Sequence, residues 1–195
     1  MELFEAINTT RAMRRLDPDR EVDVAAIETM IDAASRAPSG GDRQPLQWIV
    51  VRDPVVRLKM GEIYRRVSFA IDGLPSVPAA RSRLDRSIAH LTQHMGDAPV
   101  LLVAIAEGEP DLRLAASVYP AVQNLMLAAR SLGLGTTLTM RHRMAEAEVR
   151  SLLEIPRMVN VFAVIPVGYP LGRWAERRVR AAPVVHLDRF GRYGS

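Results

Sequence analysis

The sequence predicts an α/β protein, a three-layer sandwich in which a mixed central sheet is covered by helices on both faces. Three observations predict it. Pro99 to Ala106 (PVLLVAIA) and Asn160 to Val167 (NVFAVIPV) are unbroken apolar runs of strand length, as strands buried on both faces should be. Stretches with apolar residues at helical spacing lie around them. Strands and helices alternate along the chain, the order that builds layered α/β folds.

Leu3, Phe4 and Ile7 mark a short N-terminal helix that stops near Thr9 and Thr10. Val24, Ile27, Ile31 and Ala34 share one helical face, with Asp23 placed to cap the first turn and the end falling before Pro38. Gln47 to Arg52 (QWIVVR) reads as a buried strand. Asp53-Pro54 reads as a cap followed by proline at the first helical position, opening a helix through Leu58, Met60, Ile63 and Tyr64. Two prolines and a glycine make Ala70 to Pro78 a loop or lid edge, and a second amphipathic helix covers about Ala79 to Met95. Asp111 to Leu132 is the longest helical stretch, which Pro120 should either start or kink. Gly133-Leu134-Gly135 ends it, Thr136 to Met140 is β-prone, and Ala145 to Glu154 is a short helix. The tail from Gly168 onward is rich in arginine and proline.

At 195 residues the chain is expected to be one domain, 1–195, with 70–95 as a lid segment and 168–195 as an extended tail. Its charge of +4, from 26 basic against 22 acidic residues, is mild, and Lys59 is the only lysine. Nucleic-acid binding would call for a dense basic face with interleaved aromatics; here aromatics are 5% and the arginines scatter from Arg11 to Arg192. The absence of cysteine excludes disulfides, thiol catalysis and cysteine-held metal centres. No apolar run approaches a membrane span and no signal-peptide core is visible, so a reducing cytoplasm is expected, with neither nucleic acid nor membrane as a partner.

Two stretches carry the chemistry. Arg11, Arg14 and Arg15 fall within five residues between a helix and a bend. Guanidinium forks match phosphate oxygens, which makes this an anion grip, with Ala12 and Met13 placed to offer backbone N–H groups. A solvated surface cluster is the alternative that spacing leaves open. In Ala37 to Pro45 (APSGGDRQP), Gly40 and Gly41 lack side chains, so the backbone can press against a flat group. Its position before a buried strand puts Ser39 and Gly40 at the mouth of the sheet, where ligands gather, although a plain helix stop also fits. A cofactor with a phosphate at one end and a planar ring at the other satisfies both stretches, and flavin mononucleotide (FMN) has that form.

Other motifs carry less. His90 and His94 have the i, i+4 spacing of a helical metal pair, but no glutamate follows His90 and the nearest further ligand is Asp97; a surface or partly buried histidine pair is expected, and no metal. There is no Gly-x-Ser-x-Gly elbow, phosphate loop or Gly-x-Gly-x-x-Gly helix start. Gln123-Asn124 is either a polar stripe on a half-buried helix or an amide pair near a ring or dimer seam.

Four stretches together, TTRAMRRL ending at Leu16, APSGGDRQP (37–45), YPAVQNLMLAARSLGLGTTLT (119–139) and IPVGYPLGRWAERR (165–178), resemble the FMN-dependent nitroreductase family over essentially the whole chain. The resemblance implies an intertwined homodimer with two FMN molecules at its interface. It implies that Arg11, Ala12, Met13, Arg14 and Arg15 grip the phosphate and ribityl chain. The turn at Pro38, Ser39 and Gly40, followed by Asp42 and Gln44, would come from the other subunit. Thr136, Thr137, Leu138 and Thr139 would lie along the ring, and Arg178, with Arg177 as the fallback, would reach the phosphate. The chain departs from the family pattern at Thr10 and Ala12, where an arginine and a serine are usual, at Asp42 in place of asparagine, and at Leu46 in place of tryptophan. The implied activity is hydride transfer from NADH or NADPH through FMN to a nitroaromatic or quinone-like acceptor in a ping-pong cycle, with no protein acid or base named. A flavin-sequestering protein and a flavin-dependent dehalogenase are the alternatives.

Overall fold

The computed structural model describes residues 1–72, 82–176 and 185–192. Six helices and four strands follow in the order α1 (Leu3–Thr9), α2 (Val24–Ser35), β1 (Leu46–Val51), α3 (Pro54–Asp72), α4 (Arg83–His94), β2 (Val100–Glu107), α5 (Leu112–Ser131), β3 (Gly135–Thr136), α6 (Glu146–Leu152) and β4 (Val159–Gly168). The sheet order is β1-β2-β4-β3. Every pairing between these strands is antiparallel, and the parallel component of the sheet is a single bridge, Ala12 to Thr136.

The three layers follow from strand periodicity. Val100, Leu102, Ala104 and Ala106 of β2 pack into the cluster shared with α2 and α5, while Leu101, Val103 and Ile105 face the cluster shared with α3, α4 and α6. Where the β2–β4 register shifts between Ala104 and Ile105, the extra residue is Phe162, which joins Ala163 on the α2/α5 side. Its ring meets that of Tyr119 edge-on at 6.2 Å.

The caps at Asp23 and Asp53 are those the sequence predicts, and Asp111 adds a third. Asp23 accepts from Ala25 N at 3.2 Å, Asp53 from Val55 N at 2.7 Å and Asp111 from Leu114 N at 2.9 Å. Helix α3 runs to Asp72, three residues into the expected loop, and the rest of that loop (73–78) lies outside the described residues, as does the expected start of the second helix (79–81). A capping box of Ser82 and Asp85 opens α4. Helix α5 runs through Pro120 as one element rather than starting there. Asn124 Nδ2 donates to Ala33 O at 3.3 Å, so this amide joins α5 to α2.

Candidate functional site

The arginine segment is laid along the free side of β3 and the end of β4. Met13 N donates to Thr136 O at 2.9 Å, and Thr137 Oγ1 donates to Met13 O at 2.8 Å. Further along, Leu171 N donates to Arg15 O at 3.0 Å and Asp17 N to Tyr169 O at 2.8 Å. The expected use of Met13 N–H as an anion donor is therefore corrected: that group is committed to the sheet, and the Met13 side chain is buried.

Two glycines make this approach possible. Gly135 and Gly168 are directly paired across β3 and β4. A Cβ on Gly135 would lie 2.7 Å from Met13 Cβ, and one on Gly168 would lie 2.9 Å from Pro99 Cδ and 3.2 Å from Leu16 Cβ. By sequence alone Gly135 marks only the end of a helix. The signal that could have found this role is a glycine in each of two β-prone runs, which marks a place where another backbone approaches closely.

The arginines are held by their backbone and not by their side chains. Among the described residues, the guanidinium groups of Arg11, Arg14 and Arg15 have neither a hydrogen bond nor an ion pair. Arg14 is half-buried, and desolvation lowers its pKa from the ordinary value, partly offset by Tyr64. Other arginines are engaged. Arg130 donates to Thr9 Oγ1 at 2.8 Å and stacks over Trp174 at 4.3 Å, Arg20 lies 3.3 Å over Tyr169, and Arg150 pairs with Glu146 at 2.7 Å. Thr10, where the family pattern has arginine, turns its hydroxyl back to Ala6 O at 2.6 Å.

Thr136, Thr137 and Thr139 are buried beside this segment, Leu138 partly so. The Thr137 hydroxyl is spent on Met13 O, and Thr139 exchanges both backbone hydrogen bonds with Val164 at 3.0 Å. The structure thus brings Arg11 to Arg15 and Thr136 to Thr139 together. Arg178 and its fallback Arg177 lie outside the described residues.

The turn at Pro38 to Gln44 is elsewhere. Gly40 N donates to Ser117 Oγ at 3.0 Å, which sequence reading missed, and Gln44 N donates to Ser39 Oγ at 3.0 Å. Asp42 and Gln44 both have left-handed backbones, with φ of 52° and 47°, and Gln44 Nε2 donates to Asp42 Oδ1 at 3.1 Å. Pro38, Ser39 and Gly40 line a cleft of about 690 Å³ with Arg43, Glu109 and Arg113. This cleft is at the Glu107 end of β2, whereas the arginine segment is at the Val100 end. From Val100 to Ala106 the strand takes six steps of about 3.4 Å, so roughly 20 Å of sheet separates the two.

The histidines resolve as a stacked pair, ring centroids 4.4 Å apart, with His94 Nδ1 donating to Asp97 Oδ2 at 2.8 Å. His142 is buried, and its Nε2 donates to Val161 O at 3.1 Å.

A family model described as the nitroreductase family matches residues 7–169. A protein of Methanothermobacter thermautotrophicus, provisionally named an NADH dehydrogenase/NAD(P)H nitroreductase, is 29% identical over 97% of this chain and 88% of its own length. The iodotyrosine deiodinase of Drosophila melanogaster is 25% identical over 86% of this chain and 62% of its own length. In fold, the chain is similar to an iodotyrosine deiodinase solved with FMN and 3-iodo-L-tyrosine, with a TM-score of 0.78 at 22% identity, covering 97% of this chain and 100% of that one.

Proposed function

Because the chain belongs to the nitroreductase family, we propose that it is an oxidoreductase that passes hydride from NAD(P)H through bound FMN to an organic acceptor, nitroaromatic or quinone-like, in a ping-pong cycle. FMN, when bound, supplies the hydride chemistry; the chain's own residues bind and orient it and tune its surroundings. The observation that carries this reading is the set of three guanidinium groups, unpaired among the described residues, on a backbone fixed against Thr136 and Thr137. Arg11 and Arg14 are half-buried and Arg15 is exposed; leaving the two half-buried charges unpaired is costly, and a bound anion offsets that cost.

The two halves of the site lie at opposite ends of one sheet, so one copy does not close them around one flavin. A homodimer does, if the Pro38–Gly40 turn of one copy meets the arginine segment of the other. Exposed apolar side chains on α1, Phe4 at 73% and Leu3 at 62%, supply surface for such an assembly. The segment 70–95 is the proposed lid over the acceptor.

Reductive dehalogenation of an aromatic is the second reading, favoured by the likeness to a deiodinase over 86% of this chain. The test is the absorbance spectrum of purified protein, followed by NAD(P)H oxidation with a quinone, a nitroarene and a halophenol in turn. Flavin bands with quinone or nitroarene turnover support the proposal, and turnover confined to the halophenol moves it to the second reading. A yellow protein that turns over none of them is a flavin holder and contradicts both.

A further inference from the structure

The segment that follows β3 keeps one register along β4. Gly135 lies opposite Gly168, Thr136 opposite Val167 and, past the end of β3, Thr139 opposite Val164. Each residue forward on one side matches one residue back on the other. Carried on to position 142, the same register reaches Val161. By then the backbone has turned into a short 3-10 helix, Arg141–Ala145, and has left the ladder. The His142 side chain takes its place: Nε2 donates to Val161 O at 3.1 Å. Val161 also borders the irregular point of β4, where the register with β2 shifts and Phe162 is the extra residue.

Packing alone does not account for an imidazole at this position. His142 is 3% exposed, and its Nε2 carries the proton, because a carbonyl only accepts. Burial, the largest influence, lowers its pKa, so the ring stays neutral near neutral pH. Its Nδ1 is then a bare acceptor, buried and without a hydrogen-bond partner among the described residues. An apolar side chain of similar size fills the same space without that unpaired nitrogen. What the imidazole adds is one directed donor, aimed at Val161.

That donor completes a set of three attachments. Thr137 Oγ1 donates to Met13 O, Thr139 exchanges both backbone hydrogen bonds with Val164, and His142 holds Val161. Thr139 lies between the other two. Without His142, the Thr139–Val164 pair becomes the end of the ladder, where hydrogen bonds open most readily.

We propose that His142 is a positioning residue, which through its bond to Val161 fixes Thr136 to Thr139 against β4 and so sets the surface that this segment offers to the flavin ring. This role rests on the flavin reading, in which Thr136 to Thr139 lie along the ring.

The test compares wild type, His142→Leu and His142→Gln as full chains. Leucine keeps bulk and loses the donor, whereas the glutamine amide retains one. Amide hydrogen exchange is followed by NMR without flavin, and each protein is then titrated with FMN. The Thr139 and Val164 N–H groups are expected to exchange about tenfold faster in His142→Leu, while Met13 N–H, bonded to Thr136 O at the other end of the segment, keeps its rate. FMN should bind about fivefold more weakly to His142→Leu, with a displaced visible band of the bound flavin, and His142→Gln should recover most of each effect. In wild type itself, the imidazole nitrogen spectrum should show the Nε2–H tautomer, a readout that needs no variant to fold.

An Nδ1–H tautomer in wild type would overturn the proposal. So would unchanged exchange at Thr139 and Val164 in His142→Leu, equal acceleration at Met13, or His142→Gln behaving as His142→Leu does. Faster exchange with FMN affinity and band unaltered would overturn it too, because the segment would then move without consequence for the ring. A wild-type chain that takes up no FMN contradicts the flavin reading instead. The exchange rates tell the two failures apart, since they are measured without flavin.

Discussion

At the scale of residues, a few groups hold the arginine segment against β3. A methyl group added at Gly135 meets Met13 Cβ at 2.7 Å, which the segment can relieve only by moving away. Gly135→Ala should therefore cost about 1–3 kcal/mol in urea unfolding and weaken flavin loading, whereas Gly133→Ala, with no atom within 4 Å but a φ of +76°, should cost stability without touching loading. Thr137→Val removes the hydrogen bond to the buried Met13 carbonyl and should cost about 1–3 kcal/mol, with Thr137→Ser retaining most of it. His142 offers a pH test. Burial is the largest influence and lowers its pKa, so the unfolded chain binds the proton more readily than the folded one. Its contribution to stability is complete above the unfolded value of about 6.5 and is lost as pH falls below it. The urea midpoint should decline on acidification, less steeply in His142→Gln, and an identical slope in the two proteins would remove His142 as a cause.

At the scale of elements, local chemistry accounts for most of what the sequence revealed. Asp23 and Asp53 cap where their position before an apolar-periodic run says they should, and Asp111, read only as the start of a helical stretch, caps α5 as well. Asp111→Ala should lower stability by about 0.5–2 kcal/mol, read as a fall in thermal midpoint, because the Leu114 N–H loses its acceptor. The two apolar runs became β2 and β4, buried on both faces. Of the two outcomes expected at Pro120, a helix start is excluded: α5 packs against α2, and tertiary burial of Val118, Ala121 and Val122 carries the helix through the proline. The arginine and threonine stretches of the site were legible as types, and the structure joins them. What was not legible was the placement of their hydrogen-bonding groups. That Met13 N–H and the Thr137 hydroxyl face each other's strand depends on a contact between positions 124 residues apart, which no local pattern encodes. The use of Ser117 to hold Gly40 N–H is hidden for the same reason.

At the scale of the whole molecule, the arrangement is two half-sites on one sheet. The antiparallel order β1-β2-β4-β3 puts the glycine turn before β1 at one end, and β3 with its arginine partner at the other. The proposed flavin site is therefore a property of two copies, and complementation tests it most directly. Arg11→Ala/Arg14→Ala impairs one half, and Gly40→Leu obstructs the other while its own nearest neighbour, Ser117 Oγ, leaves ordinary contact distance at 3.6 Å for the new Cβ. Each variant purified alone should be colourless. Unfolded together and refolded as mixed dimers, they should regain flavin absorbance at one FMN per dimer, because one of the two shared sites is then intact. Full flavin occupancy in either variant alone, or mixed dimers that stay colourless while wild type refolded in the same way is yellow, would contradict a site built from both copies.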